Sequence, residues 1–469
     1  MSGGLRRVFE AQQGAFSAER YPSLATRQRR LDRIGTLIGR HEHEIVAAIS
    51  EDFGTRPTQE TRLTELFVVL ATLRHARRHL ARWMRPRRAR TPLYLRPGKS
   101  RIERQPLGVV GVASPWNYSL QLALVPAVAA LAAGNRVMVK PSERTPRMSA
   151  LLEALVGRHF DPGELAVVTG GPDVGAEFAK LPFDHLLFTG STAVGRSVAL
   201  AAAENLTPLT LELGGKSPAL ILDHADLPAL APRLAVGKLL NAGQTCIAPD
   251  YVLVPERVAG GLADALAQAV AKLYPSPRGN ADYAGIVDER HHGRLIAMVD
   301  DARRKGAKVI ELGGDAASPA AGVRRLPPTL ILEPSDDMAV MQQEIFGPIL
   351  PIETYATLDQ AIARINARPR PLAMYLFGGD QPTQRRVLAD TVAGGVTVDD
   401  TLWHFCNEHL PFGGVGASGY GAYHGERGFL AFSHQKAIFI RSRMSLAPLL
   451  YPPYGRRFES MLKLLRKVA

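Results

Sequence analysis

The fold is decided by residues 107–140, which read LGVVGVASPWNYSLQLALVPAVAALAAGNRVMVK. An apolar strand, L-G-V-V-G-V-A, is followed by a helical stretch near 120–133 and by a second strand, R-V-M-V-K. The alternation continues to about residue 212 with a helix near 148–159, the strand L-A-V-V-T-G, a short helix and H-L-L-F-T-G. Repeated strand–helix units of this length predict a parallel, doubly wound sheet that binds ligands at the carboxyl ends of its strands.

A second alternating series extends from about residue 213 to residue 400. Its predicted strands read P-A-L-I-L, Y-V-L-V, A-K-V-I, L-P-P-T-L-I-L, L-P-I-E-T-Y and A-G-G-V-T-V. A chain of 469 residues is too long for one ordinary core, so two or three domains are expected. Residues 1–85 show helical spacing of apolar positions, whereas 87–105, punctuated by Pro92 and Pro97, favour an exposed two-stranded excursion.

Composition indicates a soluble globular protein, with 46% hydrophobic and 22% charged residues. Only two cysteines are present, Cys246 and Cys406, which excludes a disulfide framework or a cysteine-rich zinc module and fits a reducing compartment. The amino terminus lacks the apolar run of a secretory signal, and no apolar stretch reaches the ~18 residues that a membrane span needs. We therefore expect a cytoplasmic protein.

The net charge is +13, with arginines clustered at 74–90 and basic residues near the carboxyl end. Such a balance indicates nucleic acid, an anionic membrane surface or simply a solvated arginine-rich surface. Nucleic acid is disfavoured because no aromatic-rich binding motif is interleaved with the arginines. The tail, residues 442–469, is basic and amphipathic, and it is too charged and too short to span a bilayer. It either lies in a membrane interface or docks on its own oligomer.

Three residues are candidates for covalent catalysis, and each has an alternative interpretation. Cys246, in N-A-G-Q-T-C-I-A-P-D at 241–250, is a nucleophile or a small buried side chain. Glu212, in L-T-L-E-L-G-G-K, is a general base with a raised pKa or a structural carboxylate capping the following turn. Asn117, in S-P-W-N-Y, is an oxyanion donor or a helix cap.

Two further segments suit a nucleotide. The stretch F-T-G-S-T-A-V-G-R at 188–196 follows a strand and opens a helix, so Gly190 and Gly195 let the backbone approach an anion. It lacks the glycine spacing of the common dinucleotide fingerprint and is equally consistent with a plain strand-to-helix turn. Lys140 and Glu143 suit the hydroxyls of a ribose or form a surface ion pair.

Together these segments resemble the aldehyde dehydrogenase superfamily along most of the chain. The matching blocks occur in the order of the family: P-W-N, V-K-P-S-E, F-T-G-S-T-A-V-G, L-E-L-G-G-K-S-P, G-Q-T-C, E-I-F-G-P and P-F-G-G-V-G-A-S-G. The runs G-Q-T-C-I-A-P-D-Y, E-I-F-G-P-I-L-P and G-A-Y-H-G look like the short branch that contains class 3 and fatty aldehyde dehydrogenases. Within it, Y-P-S-P-R-G-N-A-D-Y and the P-P-Y-G tail are most similar to bacterial coniferyl aldehyde dehydrogenases.

The resemblance implies an aldehyde dehydrogenase-like α/β fold with two doubly wound parallel-sheet domains and a small β bridging element. Residues 1–86 and 106–212 would form the NAD-binding domain and 213–400 the catalytic domain. Residues 87–105 and 401–441 would be bridging elements of a homodimer, followed by the tail at 442–469.

The resemblance also implies roles for individual residues. Cys246 would form a thiohemiacetal and then a thioester, Asn117 would stabilise the oxyanion, and Glu212 would activate the hydrolytic water. The cofactor residues would be Trp116, Lys140, Glu143, Gly190, Ser191, Gly195, Gly214, Glu344 and Phe346. Because a carboxylate at Glu143 repels a 2′-phosphate, NAD is favoured, with NADP as the alternative. No metal is required, and His291 and His292 are interpreted as surface histidines.

The expected reaction is the oxidation of an aldehyde to the carboxylic acid. An aromatic pocket formed by Tyr118, Trp403, His404 and Phe405 would suit a hydroxycinnamyl aldehyde of the coniferyl type. The run T-L-W-H-F-C-N that supplies three of these residues is not a signature of the family. The alternatives are a long-chain fatty aldehyde, acyl transfer to coenzyme A, and a non-catalytic homologue that binds membrane or nucleic acid.

Overall fold

The computed structural model describes residues 2–313, 323–444 and 447–468. The helices are α1 (Ser2–Ala18), α2 (Leu24–Arg40), α3 (Glu42–Asp52), α4 (Thr58–Thr61), α5 (Val68–Trp83), α6 (Gln121–Ala133), α7 (Pro146–His159), α8 (Pro172–Ala179), α9 (Thr192–Ala203), α10 (Leu227–Leu239), α11 (Ala259–Leu273), α12 (Glu289–Arg304), α13 (Ala339–Gln342), α14 (Leu358–Asn366), α15 (Gln381–Asp390), α16 (Trp403–Cys406), α17 (Gly425–Ala431) and α18 (Arg456–Val468). The strands are β1 (Arg87–Ala89), β2 (Lys99–Pro106), β3 (Val109–Ala113), β4 (Arg136–Lys140), β5 (Leu165–Val167), β6 (His185–Thr189), β7 (Leu209–Glu212), β8 (Pro218–Ile221), β9 (Tyr251–Pro255), β10 (Lys308–Glu311), β11 (Thr329–Leu332), β12 (Ile349–Tyr355), β13 (Ala373–Phe377), β14 (Gly395–Val398), β15 (Gly419–Tyr420) and β16 (Ser433–Ile440).

The first sheet has the strand order β15-β7-β6-β3-β4-β5 and is parallel except for β15 at its edge. Helix α6 follows β3, and all thirteen of its residues are buried. A helix that is apolar on every side must be covered on every side. Here β3 and β4 lie on one side, and α2, α5 and α17 pack on the others. The helix ends at Gly134, whose φ of 99° suits glycine.

The second sheet has the order β10-β11-β12-β9-β8-β13-β14, and only the edge strand β10 is antiparallel. All six strands predicted from the second alternating series are present. Their apolar runs are continuous because helices cover both faces of a parallel sheet. Two doubly wound parallel-sheet layers therefore confirm the predicted fold class.

A third, small sheet joins β1, β2 and β16 in that order. The excursion predicted at 87–105 thus gains a third strand from the carboxyl-terminal part of the chain. The prediction that all of 401–441 belongs with this excursion is wrong for 401–432. There, β15 pairs with β7, and α17 packs on α5 and α6. The glycine-rich loop before β15 permits this return, since Gly419 has a φ of 121° and lies against the backbone of Leu211.

No helix within the described ranges combines the length and the apolar character that crossing a bilayer requires.

Candidate active site

Cys246 is presented by a tight reversal of the backbone after α10. Asn241, Ala242 and Gly243 all have positive φ values, of 52°, 51° and 76°. Left-handed residues other than glycine cost about 1–2 kcal/mol each, so other interactions must hold this turn. At Gly243 a side chain has no room, because its Cβ would collide with the backbone of Gly347. The half-buried Cys246 that follows this turn lies close to Glu212 of the first sheet, and the next residue accepts a hydrogen bond from Tyr375 of the second sheet.

Gln244 supplies much of the interaction that holds the turn. Its side-chain Nε2 donates to the carbonyls of Asn241 and Gly285, at 2.9 Å each. Its Oε1 accepts from the backbone N–H of Val287 at 3.0 Å. With three good hydrogen bonds and 1% exposure, Gln244 fixes the backbone two residues before Cys246.

Asn117 is attached to the same loop. Its side-chain Nδ2 donates to the carbonyl of Gln244 at 3.1 Å, and the residue is 2% exposed. An amide NH₂ carries two hydrogens, so one remains for a ligand beside Cys246. The alternative that Asn117 caps a helix is wrong: α6 begins at Gln121, and the backbone N–H groups of Leu120 and Gln121 are bonded by the carboxylate of Glu65 instead.

A buried ion pair that the sequence analysis missed supports Asn117 from behind. Arg56 Nη1 donates to Glu65 Oε1 at 2.9 Å and to the carbonyl of Asn117 at 3.2 Å. Both charged side chains are 0% exposed, and the guanidinium also lies 4.8 Å from the ring centroid of Tyr118. Arg56 thus holds the backbone of Asn117, while Glu65 accepts hydrogen bonds from the N–H groups at the start of α6. No local motif marks the contact of Arg56 with Asn117, because the two residues are 61 positions apart.

We expect Arg56→Lys to lower kcat by about 10- to 100-fold with little change in KM, since a misplacement of about 1 Å at a catalytic group costs on this order. A lysine keeps the charge but cannot donate to Glu65 and Asn117 in the same fork geometry. A deuterated aldehyde provides the specific readout, because an impaired oxyanion site makes hydride transfer more rate-limiting and increases the isotope effect.

The matched control is Arg62→Lys, which alters an exposed arginine six residues away. An Arg56→Lys enzyme that loses thermal stability but keeps the wild-type kcat and isotope effect would show that the pair has only a structural role.

Glu212 ends β7 and lies in an apolar setting. The residue is 2% exposed, and neither of its carboxyl oxygens has a hydrogen-bond partner among the described residues. Burial therefore raises the pKa of Glu212 well above its ordinary value. The alternative role of capping a turn is not observed, since no backbone N–H donates to this carboxyl group. A buried, unpartnered carboxyl suits a group that exchanges a proton with a ligand.

The thiol of Cys246 is electrostatically close to two carboxyl groups. Burial, and after it the carboxyl groups of Glu344 and Glu212, raise the pKa of Cys246 to about 12. Without a ligand the sulfur is therefore a protonated thiol at neutral pH. Formation of the nucleophilic thiolate requires that a nearby base take the proton.

Because the Cys246 thiol is protonated at neutral pH, its alkylation should depend steeply on pH. Below its pKa a thiol is ionised about tenfold more for each pH unit, so the rate of carboxamidomethylation of Cys246 should increase about tenfold per unit between pH 7 and 9. The measurement uses iodoacetamide, mass spectrometry and a Cys406→Ser background, since Cys406 is also a free thiol. A rate that reaches a plateau near pH 8 would contradict the raised pKa.

Glu344 lies against the glycine pair that follows Glu212. A Cβ at Gly214 would collide with the Glu344 carboxyl group, and that group accepts a hydrogen bond from the backbone of Gly215. Burial, and after it the charge of Asp250, raise the pKa of Glu344 to about 8. Because Gly214 has no side chain, the carboxyl group of Glu344 fits directly beside it.

Three charged residues that the sequence analysis did not single out hold the Glu344 segment. Lys216 pairs with Asp250 and donates to the carbonyls of Val340 and Gln343 at 2.6 and 3.1 Å. Asp250 accepts from the backbone N–H of Ile345 at 2.8 Å. Arg294 Nη1 donates to the carbonyl of Glu344 at 3.1 Å. Lys216 directly follows L-E-L-G-G, and Asp250 lies four residues after the end of G-Q-T-C. Their closeness to two site motifs was an available signal.

Aromatic side chains surround Phe346, whose φ is 51°. Its ring lies 5.3 Å from that of Trp116, which in turn contacts His291 at 4.9 Å. His291 also bonds Asp288 through Nδ1 at 2.8 Å. The interpretation of His291 as a surface histidine is therefore wrong, since it is half-buried beside this cluster. His292 is also half-buried on α12. In the described part of the chain no group of three or more metal-ligating side chains is arranged to hold a metal.

The other predicted nucleotide residues lie at strand and helix ends of the first sheet. Ser191 is the exposed N-cap of α9, and its hydroxyl accepts from the backbone N–H of Val194 at 3.4 Å. Lys140 ends β4, and its Nζ donates to Glu143 at 3.1 Å. Burial alone would raise the pKa of Glu143, but hydrogen bonds from its own backbone and from Lys140 lower it. The amino terminus of α9 after β6 and the charged pair at the end of β4 lie on either side of β3 in the same sheet, an arrangement that fits a dinucleotide.

A cleft of about 610 Å³ opens beside Glu344. Its lining residues include Thr192 and Arg196 of α9, Gly214 and Lys216 after β7, and Arg370 before β13. The cleft connects the α9 terminus with the glycine pair, so an elongated ligand can pass from one to the other.

The predicted substrate residues are only partly brought together. Tyr118 is 6% exposed, and its hydroxyl is 2.7 Å from that of Thr245, directly before Cys246. His404 is buried and bonds Thr397, and Phe405 packs on Phe412. Trp403 is 62% exposed, so the prediction that it lines a pocket is wrong for this chain. The left-handed Leu402 begins the short helix α16 and turns Trp403 outward.

Comparison with known proteins agrees with this geometry. A model of the Aldehyde dehydrogenase family matches residues 5–438. A probable coniferyl aldehyde dehydrogenase of Pseudomonas aeruginosa is 47% identical, covering 98% of this chain and 95% of the relative. The 4,4'-diaponeurosporen-aldehyde dehydrogenase of Staphylococcus aureus is 39% identical, covering 97% and 98%.

Solved structures show the same fold. A substrate-bound Staphylococcus aureus AldH superposes with a TM-score of 0.93 at 38% identity, covering 98% of this chain and 99% of that one. A Mycobacterium tuberculosis aldehyde dehydrogenase complexed with NAD+ has a TM-score of 0.83 at 28% identity, covering 95% and 91%.

Cys246, the buried Glu212 and the amide of Asn117 thus lie together, an arrangement that suits an enzyme acting through a covalent cysteine. The chain belongs to the aldehyde dehydrogenase family. It is an aldehyde dehydrogenase of a family that uses NAD(P), and its similarity to coniferyl aldehyde dehydrogenases confirms the branch indicated by the sequence.

Proposed function

We propose that this enzyme oxidises an aromatic aldehyde of the hydroxycinnamyl type to its carboxylic acid, through a thioester on Cys246. The observation that carries the mechanism is the convergence of three groups. Cys246 lies two residues from the carbonyl that holds the Asn117 amide, and it is electrostatically close to the unpartnered Glu212. That combination supplies a nucleophile, an oxyanion donor and a base.

The steps assigned to the chain follow from its geometry. The Cys246 thiol loses its proton to a nearby base, and the sulfur attacks the aldehyde carbon. The Asn117 amide and the backbone N–H of Cys246 donate to the resulting oxyanion. A bound NAD would supply the acceptor for the hydride that leaves the former aldehyde carbon. Glu212 then takes a proton from water, whose oxygen adds to the thioester carbon, and the acid leaves as the cysteine sulfur regains a proton.

The residues present fit NAD in the extended path from Glu143 to Glu344. Lys140 and Glu143 would hold the adenosine ribose, and Gly190, Ser191 and Gly195 would bring backbone N–H groups to the pyrophosphate. The space that Glu344 occupies beside Gly214, with Phe346 and Trp116 next to it, supports a position for the nicotinamide ribose. The Glu143 carboxylate, ionised at neutral pH because its pKa is lowered, disfavours a 2′-phosphate and hence NADP.

The preference for an aromatic substrate rests on the coniferyl relatives and on the aromatic side chains near Cys246. Tyr118 adjoins the Cys246 loop, and the hydroxyl of Tyr375 donates to the backbone carbonyl of Ile247. His404 lies 6.2 Å from the Tyr375 ring, behind this loop. Tyr375 and His404 are buried behind the loop. The preference for a planar hydroxycinnamyl group therefore rests on Tyr118, beside Thr245, and on the coniferyl relatives. The Staphylococcus aureus relative named for a carotenoid aldehyde favours a second candidate, a long apolar aldehyde.

A panel of coniferaldehyde, benzaldehyde and long-chain alkanals, assayed with NAD and with NADP, tests the substrate assignment. We expect the highest kcat/KM for coniferaldehyde with NAD. A higher value for the alkanals would support the fatty aldehyde alternative instead. Free acid is the expected product with and without coenzyme A, because Glu212 is available to activate water. Acyl-CoA in place of free acid would refute the hydrolytic role.

We propose that the enzyme is a cytoplasmic homodimer. Both cysteines are free, which suits a reducing compartment. Within the described residues no strand pairs with the outer edge of β16 in the three-stranded sheet, and natural proteins usually cover such an edge. We also propose that the basic tail makes peripheral contact with a membrane. Light scattering coupled to size exclusion should give the mass of two chains, and the mass of one chain would refute the dimer.

A further inference from the structure

Charge is distributed very unevenly over this molecule. The segments 85–105 and 433–468, here called the basic surface, contain sixteen Lys and Arg but only Glu103 and Glu459 as acids. The rest of the chain has 41 Lys and Arg against 42 Asp and Glu, so it is close to neutral. The net charge of +13 therefore comes from the three-stranded sheet and the tail. An arginine-rich composition alone would have spread the excess over the whole surface.

The cations of the basic surface are available for binding. Fifteen of the sixteen side chains are exposed, and among the described residues only Arg101 and Arg104 form an ion pair. Residues directly opposite in antiparallel strands share one face of a sheet. Because Arg88 is opposite Arg101 and Arg101 is opposite Ile438, cations and an apolar side chain lie together on one face. Lys99 and Ile440 extend this face.

Exposed apolar side chains are interleaved with these cations. The turn between β1 and β2 exposes Leu93 by 62%, and Met444 after β16 is 80% exposed. Other large apolar or aromatic side chains exposed in the same segments are Tyr94, Leu95, Phe439, Ile440, Tyr451, Tyr454 and Leu464. Such a concentration on one part of a protein marks an interaction surface.

Helix α18 has the amphipathic form of an interfacial helix. Phe458, Met461, Leu462 and Leu465 follow helical spacing and are only half-buried, although α18 contacts the turn at Leu93–Leu95. The charged positions of the helix are exposed. Half-covered apolar groups flanked by Lys and Arg suit a lipid headgroup boundary, where both kinds of side chain are satisfied.

We propose that the basic surface docks the enzyme on a membrane leaflet that contains anionic phospholipids. This inference rests on the proposed peripheral contact of the tail and extends it to the three-stranded sheet. The homodimer proposed above would pair along the edge of β16 and leave the cationic face of the sheet open. A second copy laid on that face is a poorer occupant, since two such cationic faces repel each other. Nucleic acid would match the charges but would leave the exposed leucine, isoleucine and methionine side chains without apolar partners. Docking would bring the enzyme to apolar aldehydes dissolved in the lipid.

Co-sedimentation with vesicles tests the proposal. The full-length enzyme is mixed with phosphatidylcholine vesicles, with or without about one-third phosphatidylglycerol, in low (about 50 mM) and high (about 500 mM) salt. We expect association with the anionic vesicles only, and a marked loss of binding at high salt. Equal binding to neutral vesicles, or no binding to anionic vesicles in low salt, would overturn the proposal.

Two variants show whether vesicle binding depends on where the cations lie or only on the total charge of the protein. The tail variant combines Arg457→Ser, Lys463→Ser, Arg466→Ser and Lys467→Ser. At about fivefold per cation near an anionic leaflet, its partition should weaken by at least about 100-fold. The matched control removes four exposed cations elsewhere, with Arg158→Ser, Lys272→Ser, Lys308→Ser and Arg385→Ser. Equal weakening in the two variants would refute a localised docking surface.

Three further measurements test whether the basic surface binds a second copy or nucleic acid instead, and whether the enzyme oxidises aldehydes. A tail variant that becomes monomeric while binding vesicles as wild type does would assign the surface to a second copy. Displacement from vesicles by short duplex DNA at equal phosphate concentration would assign it to nucleic acid. Aldehyde oxidation in vesicle-free buffer should be the same in wild type and tail variant. Loss of oxidation in wild type would count against the proposed reaction and not against docking.

Discussion

Replacing Cys246 with alanine should abolish NADH formation from every aldehyde, by at least about 10⁴-fold, the scale on which removal of a covalent nucleophile acts. No other described side chain is placed to substitute, because the Asn117 amide and the strained Asn241–Gly243 turn direct a ligand to this one sulfur. The side chain is small and half-buried, so folding and NAD binding should change little. NADH absorbance, the melting temperature and NAD titration measure the three properties.

Cys406→Ala is the matched control, since it removes the other thiol, which is exposed and lies on α16. It should retain wild-type turnover. Substantial turnover by Cys246→Ala, or a comparable loss in Cys406→Ala, would contradict the assignment of the nucleophile.

Replacing Glu212 with glutamine should lower steady-state turnover by about 10²- to 10⁴-fold, the usual contribution of a general base. The first turnover can still occur if the thiol loses its proton to another group, so a burst of NADH of up to one equivalent should precede the slow phase. The substitution is nearly isosteric and removes only the ability to ionise. Stopped-flow absorbance measures the burst, and initial rates between pH 6 and 10 measure the slow phase.

The pH profile shows in which direction ionisation of Glu212 changes the rate of deacylation. Because burial raises the pKa of Glu212, its basic form increases as pH rises, and wild-type deacylation should accelerate toward alkaline pH. The variant should lose that dependence. Glu204→Gln, on the exposed end of α9, is the control and should behave as wild type. A Glu212→Gln enzyme with the wild-type steady-state rate and pH profile would exclude this residue as the base.

The fold could be predicted from local sequence because its strands are buried on both faces. Continuous apolar runs such as those of β3 and β4 can only lie inside a parallel sheet covered by helices. The segment 401–432 was assigned wrongly because its membership depends on a long-range pairing. Gly419 joins β7 through backbone geometry, and no apolar pattern in the loop signals that pairing.

The candidate site could likewise be predicted only in part from the sequence. The residues around Cys246 fit a nucleophile and a small buried side chain equally well. Only the ordered motifs of the family favoured the nucleophile. The supporting residues Arg56 and Glu65 act through contacts with Asn117 and with the start of α6, more than fifty residues away. Such contacts depend on how α5 and the helical turn Arg62–Phe67 before it pack against α6, so no spacing rule reveals them. His291 was misassigned for the same reason, because its partner Trp116 lies on another element.

The central claim is that an acyl group rests on Cys246 and that Glu212 directs its hydrolysis. The most direct test is intact-protein and peptide mass spectrometry of Glu212→Gln, quenched in acid after mixing with NAD and coniferaldehyde. The mechanism predicts a mass increase equal to one hydroxycinnamoyl group, located on the peptide that contains Cys246 and absent from a Cys246→Ala, Glu212→Gln double variant. An unmodified Cys246 peptide during a measured NADH burst, or an acyl group on another residue, would contradict the claim.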